Sequence, residues 1–395
     1  MRVRPPNCKL ETVHSDSIPL MLLVVFGSAK LLGEVFERLR MPGIVGEILA
    51  GILIGPGVLR WIAPNDVLNA LAELGVMFLL FGVGLEIKRS DLLRVGRIAT
   101  LVASLGVVVP FFLGWGILAW WGAPRVEGIF VGAAMVATSV GITAKVLSDR
   151  GLLSMRASQV ILAAAVIDDV LGLLVLAVVS GVARGPLNLP ELALTAVLAI
   201  GFTVLVAHWG TVAARHAVPR LAARLRSSEA PFHIALILLF ALSLLASYAG
   251  VAAIIGAFLA GMALSESATQ RVHDLTSGVS ELLVPFFLAG IGLHFDVQSF
   301  FTPKLLEMSG LILIAAVISK LIGCGLGAAS LGRADMLRIG VGMVPRGEVG
   351  MVVAQIGLGM GVIPKGVYGV VVFMSVATTL IAPPMIAWSY RGKTE

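Results

Sequence analysis

The run AVIDDVLGLLVLAVVSG, Ala165 to Gly181, sets two neighbouring carboxylates, Asp168 and Asp169, inside apolar sequence long enough to cross a bilayer. A charged residue at the centre of a membrane costs about 2.5–3.5 kcal/mol on insertion scales. Two adjacent charges at that depth point to use rather than to accident. About ten apolar residues lie on either side of them, which argues against a frayed helix end.

The rest of the chain agrees with lipid as the solvent. Its 395 residues are 58% hydrophobic and 13% charged, with mean hydropathy +1.00. A soluble domain carries about 25% charged residues. The 45 glycines suit closely packed membrane helices. Two cysteines, Cys8 and Cys324, give no disulfide framework. The net charge of +6 comes from residues scattered over short loops, so it reads as membrane topology and not as a nucleic-acid surface.

A spanning helix needs about 20 apolar residues, and by that measure the fold class is an all-α membrane protein with about thirteen transmembrane helices. They fall near 17–36, 43–60, 67–87, 96–121, 127–147, 157–183, 191–213, 231–249, 250–266, 275–295, 305–330, 336–359 and 366–390. Residues 1–16 form a polar N-terminal tail and 391–395 a short C-terminal one. With the N-terminus outside, the inner loops hold eighteen Lys and Arg against eight outside. The positive-inside rule therefore puts the N-terminus outside and the C-terminus in the cytoplasm of a cell inner membrane. A cleaved leader over the first 28 residues is the competing reading. No A-x-A site follows it, and its loss would break the repeat described next.

Val45–Gly51 (VGEILAG) resembles Ile255–Gly261 (IGAFLAG), and Glu73–Leu85 resembles Glu281–Leu293, both at an offset of 208–210. In this span list the offset equals seven helices. An odd number makes equivalent helices cross in opposite directions, which is an inverted-topology repeat. Such folds place their site where two broken helices cross at mid-membrane. The best-interrupted segments are Ala137-Thr-Ser-Val-Gly-Ile-Thr143 and Val344-Pro-Arg-Gly-Glu-Val-Gly350, repeat mates at about 209. Proline and glycine favour unwinding there, and Thr138 and Ser139 offer oxygens.

Consecutive helical residues point about 100° apart, so Asp168 and Asp169 divide their roles. Their repeat mates, Val376 and Ala377, are apolar: the charge does not follow the repeat. Lys320 lies deep in ILIAAVISKLIG (312–323). A lone buried ammonium loses its proton or needs a carboxylate, and the aspartates are the obvious partner. Two carboxylates and one ammonium leave one negative charge for a cation. Arg346 and Glu348 read as compensating the helix ends exposed by the second break. Glu73 and Glu281 are repeat mates without an assigned role.

On these motifs the chain resembles the sodium/proton antiporters of the NapA and NhaA type, in the monovalent cation:proton antiporter-2 family. The likeness runs over nearly all of residues 17–390. It is carried by GIVGEILAGILIGP (43–56), FLLFGVGLE (78–86), ATSVGITAKVL (137–147), AAVIDDVLGLLVLAVV (164–179), IIGAFLAGMALSE (254–266), Lys320 and PRGEVGMVVA (345–354). The resemblance implies a homodimer with a moving core (67–183 and 275–390) and a dimerisation scaffold (17–60, 191–213 and 231–266). It implies Asp169 as principal sodium ligand, and Asp168 as a second sodium ligand that pairs with Lys320 when the site is empty. Thr138 and Ser139 would be secondary ligands. No cofactor is implied, since sodium or lithium and protons are the substrates. The function expected is electrogenic exchange of protons for sodium. A potassium/proton antiporter, or a sodium-coupled organic-acid symporter on the same fold, is the alternative. Adjacent acids on one helix do not suit an intramembrane aspartyl protease, so no enzyme activity is expected.

Overall fold

The computed structural model describes residues 17–39, 41–87, 89–184, 189–222, 229–295, 303–346 and 348–391. The expected N-terminal tail, 1–16, lies outside these residues, as does all of 391–395 except Arg391. The described residues are helical, with no strand among them. The first half holds α1 (Ile18–Arg38), α2 (Gly43–Ile54), α3 (Asp66–Glu86), α4 (Arg89–Trp120), α5 (Arg125–Ala134), α6 (Val140–Asp149) and α7 (Arg156–Arg184). Then come α8 (Leu189–Ala222), α9 (Ala230–Tyr248), α10 (Ala253–Leu264), α11 (Gln270–Leu293) and α12 (Pro303–Gly327). The last three are α13 (Arg333–Gly342), α14 (Glu348–Gly359) and α15 (Lys365–Ser389). Eight helices among the described residues are long and apolar enough to cross a membrane, and α2 and α10 are shorter apolar helices.

Two expected spans are split. The stretch 127–147 divides into α5 and α6 around residues 135–139, and 336–359 into α13 and α14 around 343–347. Both breaks are shorter than the sequence suggested. Val140–Thr143 are already helical in α6, and Glu348 already opens α14. α4 also begins earlier than expected, because the polar stretch Arg89–Arg97 stays helical ahead of the apolar run.

The repeat reappears in how the helices touch. A Cβ on Gly51 of α2 would lie 2.0 Å from the Ala289 carbonyl oxygen of α11, and one on Gly292 2.2 Å from that of Ile48. A Cβ on Gly261 of α10 would lie 2.1 Å from the Phe81 carbonyl oxygen of α3, and one on Gly84 2.2 Å from that of Phe258. Each residue of the first contact is the mate of one in the second, at 208–210. Only glycine permits backbones this close. We expect Gly261→Val to force α10 from α3, at about 1–3 kcal/mol or more. A melting midpoint in detergent lowered by several degrees would report it, and an unchanged midpoint would contradict the contact.

α3 packs on α10 and α11, and α11 on α2 and α1. Met77, Phe78 and Phe81 share an apolar cluster with Leu239 and Ala260, and Phe286 and Ala289 share another with Val25 and Ala50. The glycine contacts just described hold α3 to α10 and α11 to α2. α4 packs on α5, α7 and α12, and α15 on α12 to α14. On the scaffold side, Arg271 donates to both Glu229 carboxylate oxygens, at 2.9–3.2 Å. The guanidinium holds the Glu229 carboxyl below its ordinary range, so the pair is lost only as pH falls through that lowered value. Being exposed, it adds little to stability.

Candidate functional site

The two breaks meet. The Ser139 backbone N–H donates to the Pro345 carbonyl at 2.8 Å, and the Thr143 hydroxyl donates to the Gly342 carbonyl at 2.7 Å. Pro345 has no N–H of its own, so its carbonyl serves the other strand of the crossing. Residues 135–139 contain neither proline nor glycine. That break is held open by its partner rather than by its own residues.

Arg346 fills the crossing and is 0% exposed. Its Nη1 donates to the Ala137 carbonyl at 3.4 Å and its Nη2 to the Ala316 carbonyl at 3.2 Å. Its backbone is tied to α15, with its N–H donating to Thr378 Oγ1 at 3.2 Å and its carbonyl accepting from Thr379 Oγ1 at 2.8 Å. The carbonyl ends of α5 and α13 both run into this region. A fixed cation there offsets their partial negative charge. Glu348 heads α14, where a carboxylate suits the positive helix end; its side chain lies outside the described residues.

The carboxylate pair sits in α7, which packs on α4, α5 and α13. Asp168 is 1% exposed and Asp169 9%. Lys320 of α12, 0% exposed, directs Nζ at both Asp168 oxygens, 3.4 Å from each. The structure thus brings together two of the predicted residues that lie 152 positions apart. Their approach depends on α4, which lies against α12. A Cβ on Gly323 would stand 2.6 Å from the Leu105 carbonyl oxygen. One on Gly106 would stand 2.6 Å from Cys324 Sγ and 3.3 Å from Lys320 Nζ. Gly106 therefore makes the room in which the ammonium lies. Gly106→Ala should lower exchange several-fold, and adding Cys324→Ala, which removes the clashing sulfur, should restore it. A double variant as slow as the single one would refute this steric account.

Thr138 and Ser139 lie in the first break, both buried. The Thr138 hydroxyl has no hydrogen-bond partner among the described residues. A buried hydroxyl left unpaired costs about 1–3 kcal/mol, which a bound cation or water would recover. Ser139 precedes α6 without capping it through its side chain. Glu73 and Glu281 are both exposed, and they line different cavities.

Three features of this region escaped sequence reasoning. Gly106 is one glycine among many. Thr378 and Thr379 look like ordinary helix residues. Glu47, buried in α2 and 3.0 Å from Lys30, carried a readable signal as a lone acid in an apolar helix.

Comparison with known proteins gives this geometry a family. Residues 21–391 match the family model "Sodium/hydrogen exchanger, transmembrane". The chain is 33% identical to the "High-affinity Na(+)/H(+) antiporter NhaS3" of Synechocystis sp., covering 94% of this chain and 90% of that protein. It is also 33% identical to the "Na(+)/H(+)-K(+) antiporter GerN" of Bacillus cereus, covering 96% of each. A solved structure of the sodium proton antiporter MjNhaP1 from Methanocaldococcus jannaschii shares the fold. Its TM-score is 0.65 at 19% identity, over 94% of this chain and 96% of that one.

Proposed function

Since this chain belongs to the sodium/hydrogen exchanger family, a family of monovalent cation:proton antiporters and not of enzymes, we propose that it exchanges protons for sodium or lithium, with Asp168 and Asp169 as the shared site. The observation that carries this reading is the fully buried Lys320–Asp168 pair with Asp169 beside it. Two carboxylates and one ammonium carry one net negative charge, which a bound cation would balance. A buried pair is weak support for stability but a natural switch, since removing one partner strands the other.

The cycle follows from competition. On the inner side protons leave and sodium binds Asp169, with Asp168 turning from Lys320 to the cation and the Thr138 and Ser139 oxygens closing the shell. On the outer side protons return and displace the cation. Where Lys320 also yields a proton, two protons exchange for one sodium, and one net charge crosses. A membrane potential then adds about 2.3 kcal/mol per 100 mV. Arg346 and Glu348 hold the crossing in shape without touching the cargo.

The access change is a movement of one rigid body against another. We assign α4–α7 and α12–α15 to the moving core, and α1–α3 and α8–α11 to the scaffold, which forms a homodimer as the resemblance implies. The breaks in α5–α6 and α13–α14 make about thirteen crossings in an inverted repeat. The matched contacts of Gly51 and Gly261 support that repeat. The membrane is the cell inner membrane, with the N-terminus outside and the C-terminus cytoplasmic. The cargo needs no cofactor.

Potassium is the second reading, favoured by the dual sodium and potassium activity in the name of the Bacillus cereus relative. Proteoliposomes holding a pH gradient and exposed in turn to sodium, lithium and potassium test both. Collapse of the gradient by sodium and lithium is expected. Collapse by potassium alone would favour the second reading, and collapse by none would refute both.

A further inference from the structure

Two cavities lie along α3 and α11. One of about 440 Å³ is lined by Glu86, Asp149, His273 and Glu281. The other, of about 400 Å³, is lined by Asn69, Glu73, His294 and Gln355. They share no residue. On α3 the boundary falls between Val76, which faces the second cavity, and Leu79, which faces the first. On α11 it falls between Phe287 and Val284 in the same sense. All four side chains are apolar and buried.

The four are related by the repeat. Val76 and Val284 are mates at 208, and so are Leu79 and Phe287. The barrier is therefore two rungs one helical turn apart, each with one residue from each helix. The repeat exchanges the rungs. Gly141, in the first turn of α6, bears on the rung of Val76 and Phe287. A Cβ there would stand 3.0 Å from Val76 Cγ2 and 3.4 Å from Phe287 Cε1 and Cζ.

We propose that Val76, Leu79, Val284 and Phe287 form the seal between the inner and outer vestibules, and that Gly141 is the surface of the core that slides on it. A hydrated ion cannot enter a dry apolar constriction without losing its shell, which is how such a layer holds back both cargoes. The missing side chain at residue 141 lets α6 pass the rungs. A shift of about one helical turn, roughly 5 Å, carries the contact from one rung to the other. The seal thus passes between the rungs while the scaffold stays still. The inference rests on the exchanger reading only where transport is measured.

The test uses the full chain in liposomes, with Cys8→Ser and the fully buried Cys324 retained. Gly141→Cys and Val76→Cys together stand within reach of a disulfide. Oxidation should cross-link them and lower exchange by about tenfold or more, and reductant should restore it. Gly141→Cys alone, whose side chain meets the rungs, should already slow exchange, and oxidant should change neither single variant's rate. Failure to cross-link, or full exchange by cross-linked protein, would overturn the sliding contact. A second variant, Val76→Thr with Val284→Thr, wets the seal at nearly constant volume. It should leak sodium without counterflowing protons, and continue to leak when Asp169→Asn is added. A tight double variant overturns the seal. A mistaken ion site gives a different signature, namely coupled exchange that survives Asp169→Asn while the seal holds.

Discussion

Asp169→Asn should abolish sodium-dependent proton movement in proteoliposomes while the protein keeps its fold. The substitution preserves shape and removes the charge of the carboxylate next to the Lys320–Asp168 pair. Removing one partner of a buried charge pair costs about 2–5 kcal/mol of binding, and each 1.4 kcal/mol is tenfold, so the loss should be about thirtyfold or more. Stability should not fall with activity, because asparagine can keep hydrogen bonds without the cost of burying a charge. Exchange at more than a few per cent of the parent rate, in protein of unchanged melting midpoint, would remove Asp169 from the site.

Lys320→Gln separates coupling from transport. Without an ammonium, Asp168 has no fixed partner and the lysine can carry no proton. Exchange of one proton for one sodium should remain, now without net charge transfer. The current that accompanies sodium efflux then falls to background, while proton flux, measured by a pH dye, persists at a reduced rate. The membrane potential, expected to drive the parent protein by about 2.3 kcal/mol per 100 mV, should no longer matter. Current at the parent ratio of charge to sodium would exclude Lys320 as a proton carrier.

Much of this was legible in the sequence because membrane burial makes charge conspicuous. Asp168, Asp169 and Lys320 stand out as ionisable groups in apolar runs, and charge balance alone suggests that they meet. Arg346 was visible for the same reason, beside a proline and a glycine that mark the second break. The first break was less visible. Thr138 and Ser139 sit where no residue forbids a helix, and the opening there depends on Pro345 and Arg346 from 209 positions away. Local propensity carries no trace of such a contact, which is why Val140–Thr143 read as interrupted but are helical. Helix pairing was illegible for a similar reason. Whether α3 lies with α10 or with α4 is decided by where Gly84 and Gly261 let backbones approach, and hydropathy is the same either way. Polar residues that only complete a hydrogen-bond set, such as Thr378 and Thr379, cost little in a membrane helix and leave no signal.

That protons and the cation occupy the same carboxylates in turn is the claim to test without transport. Purified protein in weakly buffered detergent solution, below the pH at which the site empties of protons, receives sodium chloride while a pH electrode records release. Proton release that saturates with sodium, approaches about two per protomer, falls to about one in Lys320→Gln and vanishes in Asp169→Asn is the expected result. Saturable sodium binding with no proton release, or release undiminished in Asp169→Asn, would contradict it.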